Sequence, residues 1–299
     1  MDTFPLILGL ITAKKVNGKT KIYRKSYAFT DDTAPLKQVK SIWTEKAFFT
    51  EKGQKEFNML FNSKGKLFQA PKSVDMIKQC IQMSQDKDAI VLDFFGGSST
   101  TAQAVLQLNA EDGGKRKFIL VQIPEVCDEK SDAYQAGYHN ICQIGKERIK
   151  RASEKVRKES NGEIDLGFRV LKLDSTNMRD VYYSADEYSQ DMLAMLESNI
   201  KDDRTDLDLL FGCLLEWGLP LSLPYSSETI DGCTVHNYND GDLIACFDED
   251  ISRIVIETIA RRQPLRAVFR DSSFPNSPAK INVGEIFKLL APDTRVKVI

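Results

Sequence analysis

The run Val91-Leu92-Asp93-Phe94-Phe95-Gly96-Gly97-Ser98-Ser99-Thr100-Thr101 constrains this chain more than any other segment. An apolar stretch from Ala89 to Phe94 reads as a strand and delivers the chain to Gly96, Gly97, Ser98 and Ser99. Their absent or short side chains allow a tight turn and let a ligand approach the backbone. A helix follows through Ala102 to Leu108, then a Gly113-Gly114 turn and a second apolar run from Phe118 to Ile123. Two continuous apolar strands joined by a helix-period segment predict a βαβ unit with buried parallel strands. Ligands of such units sit outside the carboxyl ends of the strands. The free N–H groups of the helix start, helped by the hydroxyls of Ser98, Thr100 and Thr101, suit a carboxylate or phosphate. The competing reading is an ordinary βα turn with a Thr N-cap. The spacing matches neither G-x-G-x-x-G nor the phosphate loop ending in Gly-Lys-Ser/Thr, which disfavours nucleotide hydrolysis.

At 299 residues the chain has room for two domains, and 42% hydrophobic with 28% charged residues is the balance of a core-forming protein. Its longest apolar runs fall far short of a membrane span. Asp2 stands where a secretory signal would carry basic residues, so a cytoplasmic protein is expected. Six cysteines lie scattered without a C-x-x-C pair and two histidines are available, which supports neither a zinc site nor a disulfide framework. The cysteines lie mostly in apolar patterns and read as small buried hydrophobes. With a net charge of -2, any nucleic-acid contact has to be local.

Residues 1–65 mix an apolar start, a basic stretch (Lys14, Lys15, Lys19, Lys21, Arg24, Lys25) and a polar segment, and they promise little compact structure. A helix is expected over Val74, Ile77, Cys80 and Ile81. A long amphipathic helix is expected from Tyr138 to Lys158, with Ile141, Ile144, Arg148, Ile149, Ala152 and Val156 on one side and Lys146, Lys150, Arg151, Lys155 and Arg157 on the other. Glu159 to Gly162 marks a boundary. Beyond it the pattern predicts a strand over Gly167–Leu173, then helix Leu207–Trp217, strand Asp242–Phe247, helix Ile251–Arg261, strand Leu265–Phe269, helix Val283–Leu290 and strand Arg295–Ile299. Residues 1–65 thus read as an extension, 66–160 as the domain of the glycine loop, and 161–299 as a smaller α/β domain.

The loop resembles the amino-methyltransferase motif Asp-x-Phe-x-Gly-Ser-Gly-Thr-Thr. Phe68-Gln-Ala-Pro71-Lys72 is similar to that family's Phe-x-x-Pro-Lys-Pro segment, and Lys117 to Glu125 to its strand ending in a polar residue. Ile144 to Ala152, Gly167 to Asp174 and Val268 to Asp271 resemble the modification subunits of type III restriction-modification systems, the DNA adenine-N6 methyltransferases. The resemblance implies an α/β fold: a partial Rossmann-like S-adenosylmethionine-dependent methyltransferase domain followed by a smaller α/β domain for assembly. It implies S-adenosylmethionine held by Phe68, Lys72, Asp93, Phe94, Phe95, Gly96, Ser98, Thr100, Thr101 and Gln122, with Asp93 toward the donor's ammonium and Gln122 toward its ribose. The implied partners are DNA, a restriction subunit, and another methyltransferase chain or a missing N-terminal half. Two positions depart from the pattern. Ser99 replaces a glycine, placing a Cβ and hydroxyl where the donor would lie closest to the backbone, and Ser73 replaces a proline.

Adenine-N6 transfer also needs an acceptor for the amine's protons and an aromatic face for the flipped base. The family supplies both as Asp-Pro-Pro-Tyr, yet none of the ten prolines here forms a Pro-Pro pair. The expectation is a fragment that is inactive alone, with no catalytic residue, and with an open apolar strand edge and an uncovered sheet face. The alternative is a non-catalytic assembly module that binds a methyltransferase or restriction subunit. Among lesser signals, Asp93 also reads as a loop-ordering residue and the basic helix face as a solvated surface. Asp271 reads as a turn former, and Trp43 and Trp217 as packing anchors. No Ser-His-Asp, Cys-His or metal-ligand set emerges.

Overall fold

The computed structural model describes residues 11–24, 42–160, 164–179 and 200–299. The chain divides into two compact units, residues 1–167 and 168–299.

The first unit opens with an antiparallel hairpin, β1 (Ile11–Val16) and β2 (Lys19–Arg24). Its two-residue turn places Asn17 and Gly18 at φ 48° and 76°, the left-handed pair that Asn-Gly supplies at low cost. Helix α1 (Thr50–Phe61) then buries Gly53, Phe57 and Phe61. Both elements lie where little compact structure was expected. The aromatic rings of α1, at i and i+4, stack at 4.3 Å on one face and hide the helical period from a search for aliphatic stripes.

Helix α2 (Val74–Gln82), strand β3 (Ile90–Asp93), helix α3 (Thr100–Asp112) and strand β4 (Lys117–Leu120) follow. β3 and β4 pair in parallel, Ile90 opposite Lys117 through Asp93 opposite Leu120, as the βαβ reading expects. Val91 and Phe118 pack with Val74, Ile81, Ala104, Val105 and Leu108 under α2 and α3. The other face corrects the expectation of buried strands. Ile90, Leu92, Ile119, Val121 and Ile123 are 65, 49, 51, 50 and 69% exposed. A layer of helices covers one side of this two-stranded sheet and leaves the opposite residues of each strand bare, which is the uncovered apolar face anticipated above. After the one-turn helix α4 (Asp132–Gln135), helix α5 (Ile141–Glu159) begins at Asn140, whose side chain accepts from the Gln143 N–H at 3.1 Å.

In the second unit helix α6 (Asp206–Glu216) precedes β5 (Tyr225–Ile230), β6 (Cys233–Tyr238), β7 (Leu243–Cys246), α7 (Arg253–Arg261), β8 (Arg266–Phe269), α8 (Ser277–Leu290) and β9 (Arg295–Val298). The sheet order is β5-β6-β7-β8-β9, antiparallel on the β5–β6–β7 side and parallel from β7 to β9. Here the strands are sandwiched. Ile244 and Cys246 of β7 join Ile259, Val283 and Phe287 on the side of α7 and α8, whereas Leu243, Ala245 and Phe247 join Leu210 and Leu214 of α6. The period-2 alternation of a strand sorts consecutive apolar residues into two cores. The expected strand over Gly167–Leu173 is absent. That segment runs without ladder partners and leaves Val170, Leu171 and Leu173 exposed, so an alternating pattern here lacks the neighbouring strand that would make it a ladder.

Of the six cysteines, Cys213 and Cys246 are buried and their thiols are pushed up to about 11 and about 12 by desolvation. Cys127, Cys142 and Cys233 are half-buried and Cys80 is exposed, so the small-hydrophobe reading fits two of them. Among the described residues no helix is long and apolar enough to cross a membrane.

Candidate functional site

β3 ends at Asp93, and its parallel pairing continues past the strand through the Val121 N–H to Asp93 O (2.9 Å) and the Gly96 N–H to Val121 O (3.1 Å). Those bonds hold the loop Asp93–Thr101 at the carboxyl edge of the sheet, where ligands of α/β units lie. The Asp93 carboxylate orders the loop from inside: Oδ1 accepts from the Phe95 N–H at 3.1 Å and Oδ2 from the Thr101 hydroxyl at 2.6 Å. Gln122, just past β4, bridges the loop to its own strand. Its Oε1 accepts from the Gly97 N–H at 2.6 Å while Nε2 donates to Ile123 O at 3.0 Å.

Helix α3 starts at Ser99, which takes a left-handed conformation (φ 61°, ψ 36°) and supplies no side-chain cap. The competing reading of a Thr-capped turn does not hold, and the first N–H groups of α3 lack the side-chain acceptor that usually satisfies them. Ser98, Thr100 and Thr101 are buried, and their hydroxyls turn inward. Ser98 Oγ and Thr100 Oγ1 accept from Arg148 Nη1 at 2.8 and 2.6 Å, while Arg148 Nε donates to Gln103 Oε1 at 2.8 Å. Arg148 of α5 is fully buried, and desolvation pushes its guanidinium down to about 10, still charged at neutral pH.

Ser99 does not crowd the open side of the loop. A Cβ on Gly145 of α5 would meet its Oγ at 2.5 Å, so the hydroxyl is directed at α5 and fills the space that Gly145 leaves. Phe68 abuts the other glycine, its Cζ lying 3.4 Å from where a Gly97 Cβ would be. The Pro71–Lys72 backbone is held from beneath by Gly53 of α1, where a Cβ would fall 2.4 Å from Pro71 O and 2.7 Å from the Lys72 carbonyl carbon. Ser73 is buried and donates to Ala47 O at 2.5 Å.

The structure therefore gathers Phe68, Asp93, Gly96, Ser98, Thr100, Thr101 and Gln122 in and against one loop. Phe94 and Phe95 stand 65 and 86% exposed beside it. Lys72 takes part through its backbone, and its side chain is exposed. The sequence reading had not singled out Arg148, Gly145 or Gly53 for the site. Arg148 occupies a position in the apolar stripe of its helix, and a charged residue in a stripe is the signal that finds it.

Residues 12–154, the span of this loop and its supports, match the DNA methylase family of N6 and N4 methyltransferases. The match takes in just under half of the chain. The chain is also 38% identical over 162 residues to the type III restriction-modification enzyme EcoPI Mod subunit of Escherichia phage P1, covering 54% of this chain and 24% of that protein. It is 43% identical over 120 residues to the StyLTI Mod subunit of Salmonella typhimurium, covering 40% and 18%. It is 34% identical over 133 residues to the type II methyltransferase M.KpnI of Klebsiella pneumoniae, covering 44% and 31%. The chain is thus a relative of type III modification methyltransferases, with an α/β fold, and its matched segments span less than a third of each of these relatives.

Elsewhere in the chain the supposed site signals resolve into structure. Asp271 opens a 3-10 turn and pairs with Lys280, as a turn former should. On the basic side of α5, Arg151 is half-buried, donating to Phe61 O at 2.8 Å and lying 4.9 Å over the Phe61 ring. Trp217 packs in the α6 core beneath Arg266. A Ser-His-Asp set does come together in space, contrary to the sequence reading: Ser227 Oγ lies 2.8 Å from His236 Nδ1, and His236 Nε2 lies 3.4 Å from Asp206 Oδ2. Ser227 and His236 are directly opposed partners on β5 and β6, so the contact is a cross-strand pin rather than a nucleophile raised on a strained turn. Among the described residues no group of three or more His, Cys, Asp or Glu is placed to hold a metal ion.

Proposed function

We propose that the methylase segment binds S-adenosylmethionine at the loop Asp93–Thr101 and serves methyl transfer to adenine N6 in DNA as part of a type III modification subunit. The observation that carries this reading is the uncapped start of α3 at the carboxyl edge of β3 and β4, set over the buried cation Arg148. When bound, the donor supplies an electrophilic methyl group on a positively charged sulfur.

The residues present fit that ligand. The N-terminal amides of α3 suit its carboxylate. Each Asp93 oxygen already accepts one bond within the loop and keeps a second lone pair for the ammonium. The Gln122 amide retains the same spare capacity toward ribose hydroxyls. Phe94 and Phe95 offer exposed aromatic surface for the adenine ring. Gly96 and Gly97 keep the backbone accessible.

The chain contains no Asp-Pro-Pro-Tyr, so transfer requires a polypeptide that brings it. The bare face of β3 and β4 is where such a cover, another methyltransferase chain or the half bearing that motif, would seat. DNA and a restriction subunit are the further partners, with residues 161–299 serving assembly in the cytoplasm. Calorimetric titration of the purified chain with S-adenosylmethionine tests the reading. Saturable binding that is lost in Asp93→Ala supports it. No heat at high donor concentration would transfer the reading to a non-catalytic assembly module. Labelled-methyl transfer to DNA by the chain alone would overturn the need for a second polypeptide.

A further inference from the structure

Among the described residues Arg148 has no carboxylate in contact, and the one acidic charge that acts on it, that of Glu56, does so from beyond ion-pair distance. The arginine is fully buried. Its Nη2 has no hydrogen-bond partner among the described residues, although three neutral side chains serve Nε and Nη1. The Phe57 ring, 5.4 Å away, offsets part of the charge. A buried cation with no carboxylate in contact is costly, and a partner charge that arrives from outside offsets that cost.

We propose that Arg148 is the buried counter-charge for the carboxylate of the methyl donor, coupled to the loop through Ser98 and Thr100. This rests on the donor-binding reading above and adds a residue to it. The two hydroxyls both accept from Nη1 and lie 3.3 Å apart, so one donates to the other and a single O–H remains for a further acceptor. Accepting from a cation makes that remaining proton a stronger donor. The same helix start contributes the positive end of α3, so field, hydroxyl and amides favour an anion at one place. Nothing in this arrangement serves the neutral nucleoside part of the donor. Arg148 therefore acts as a positioning residue that discriminates by charge.

The test compares two ligands by calorimetry on the full chain: S-adenosylmethionine, and 5′-methylthioadenosine, which keeps the nucleoside and a neutral sulfur but lacks the amino-acid end with its carboxylate and ammonium. Arg148→Gln should weaken S-adenosylmethionine by at least about tenfold while changing 5′-methylthioadenosine less than about twofold, and Arg148→Lys should restore part of the loss. The Ser98→Ala/Thr100→Val variant, which removes the relay and leaves the cation, should show the same selectivity and keeps the test open if Arg148→Gln does not fold. Parallel weakening of both ligands, or no change in either, overturns the role of Arg148. Failure of the unaltered chain to bind either ligand instead overturns the donor-binding reading itself.

Discussion

Gly145 and Ser99 share one volume: a Cβ on the glycine would lie 2.5 Å from the serine hydroxyl. Helix α5 approaches the loop as closely as it does because the extra atoms that Ser99 carries are accommodated by a helical residue with none. Gly145→Ala should cost about 1–3 kcal/mol by overpacking. Ser99→Gly, which relieves a left-handed serine but adds chain entropy in the unfolded state, should fall within about 1 kcal/mol of the parent. The double variant should recover most of the loss. Urea unfolding of the four proteins checks this, and strictly additive values would show that the two residues do not compete for the same space.

Two further glycines separate close approach from open space. Gly53→Ala drives a Cβ into the Pro71 and Lys72 backbone, which cannot rotate away. A loss of about 1–3 kcal/mol is expected, together with weaker donor binding through the displaced Phe68 segment. Gly284, inside α8, meets nothing within 4 Å. Gly284→Ala should raise stability by about 0.5–1 kcal/mol in thermal or urea unfolding.

The Arg116 guanidinium, donating from Nη1 and Nη2 to Asp112 at 3.0 and 2.9 Å, holds that carboxyl below the usual aspartate range. The folded carboxyl is the stronger acid, so its contribution is present above the unfolded pKa and disappears as pH falls through the lower, folded one. Asp112→Asn should lower stability at neutral pH by roughly 1 kcal/mol, the partly exposed pair being screened, and bring the two proteins together in acid. Urea midpoints from neutral to strongly acidic pH read this directly. A gap that persists in acid would assign the effect to packing.

The bare sheet face is open to a chemical test as well. The purified chain should bind a hydrophobic fluorescent dye, and Leu92→Lys with Ile119→Lys should abolish most of that signal. These side chains are 49 and 51% exposed on neighbouring strands, so stability should change little, within about 1 kcal/mol. Dye binding that survives both substitutions would place the accessible apolar surface elsewhere.

The parallel βαβ unit, the loop at its carboxyl edge and the long helix behind it are all legible in the residues, because each depends on local periodicity and on short side chains at a turn. The hairpin over residues 11–24 was equally legible through Asn17-Gly18, but the surrounding lysines drew the reading toward a basic extension. Helix α1 was harder, since its buried face is made of Phe57 and Phe61 rather than an aliphatic stripe. Gly167–Leu173 shows the opposite failure, for alternation alone does not make a strand when no neighbour supplies the ladder.

The sequence by itself determined the βαβ unit, the position of the loop Asp93–Thr101 at its edge and the long helix α5, because those follow from chain-local patterns and spacing. Only the tertiary structure decided which strands are buried. The near-continuous apolar run of β7 has a helix layer on both sides, whereas the equally apolar β3 and β4 have one. It also decided that Arg148, placed in the stripe of its helix, lies under the loop with no carboxylate in contact. Burial and charge compensation belong to residues far apart in the chain, such as Ser98 and Arg148, and a one-dimensional pattern carries no record of who meets whom.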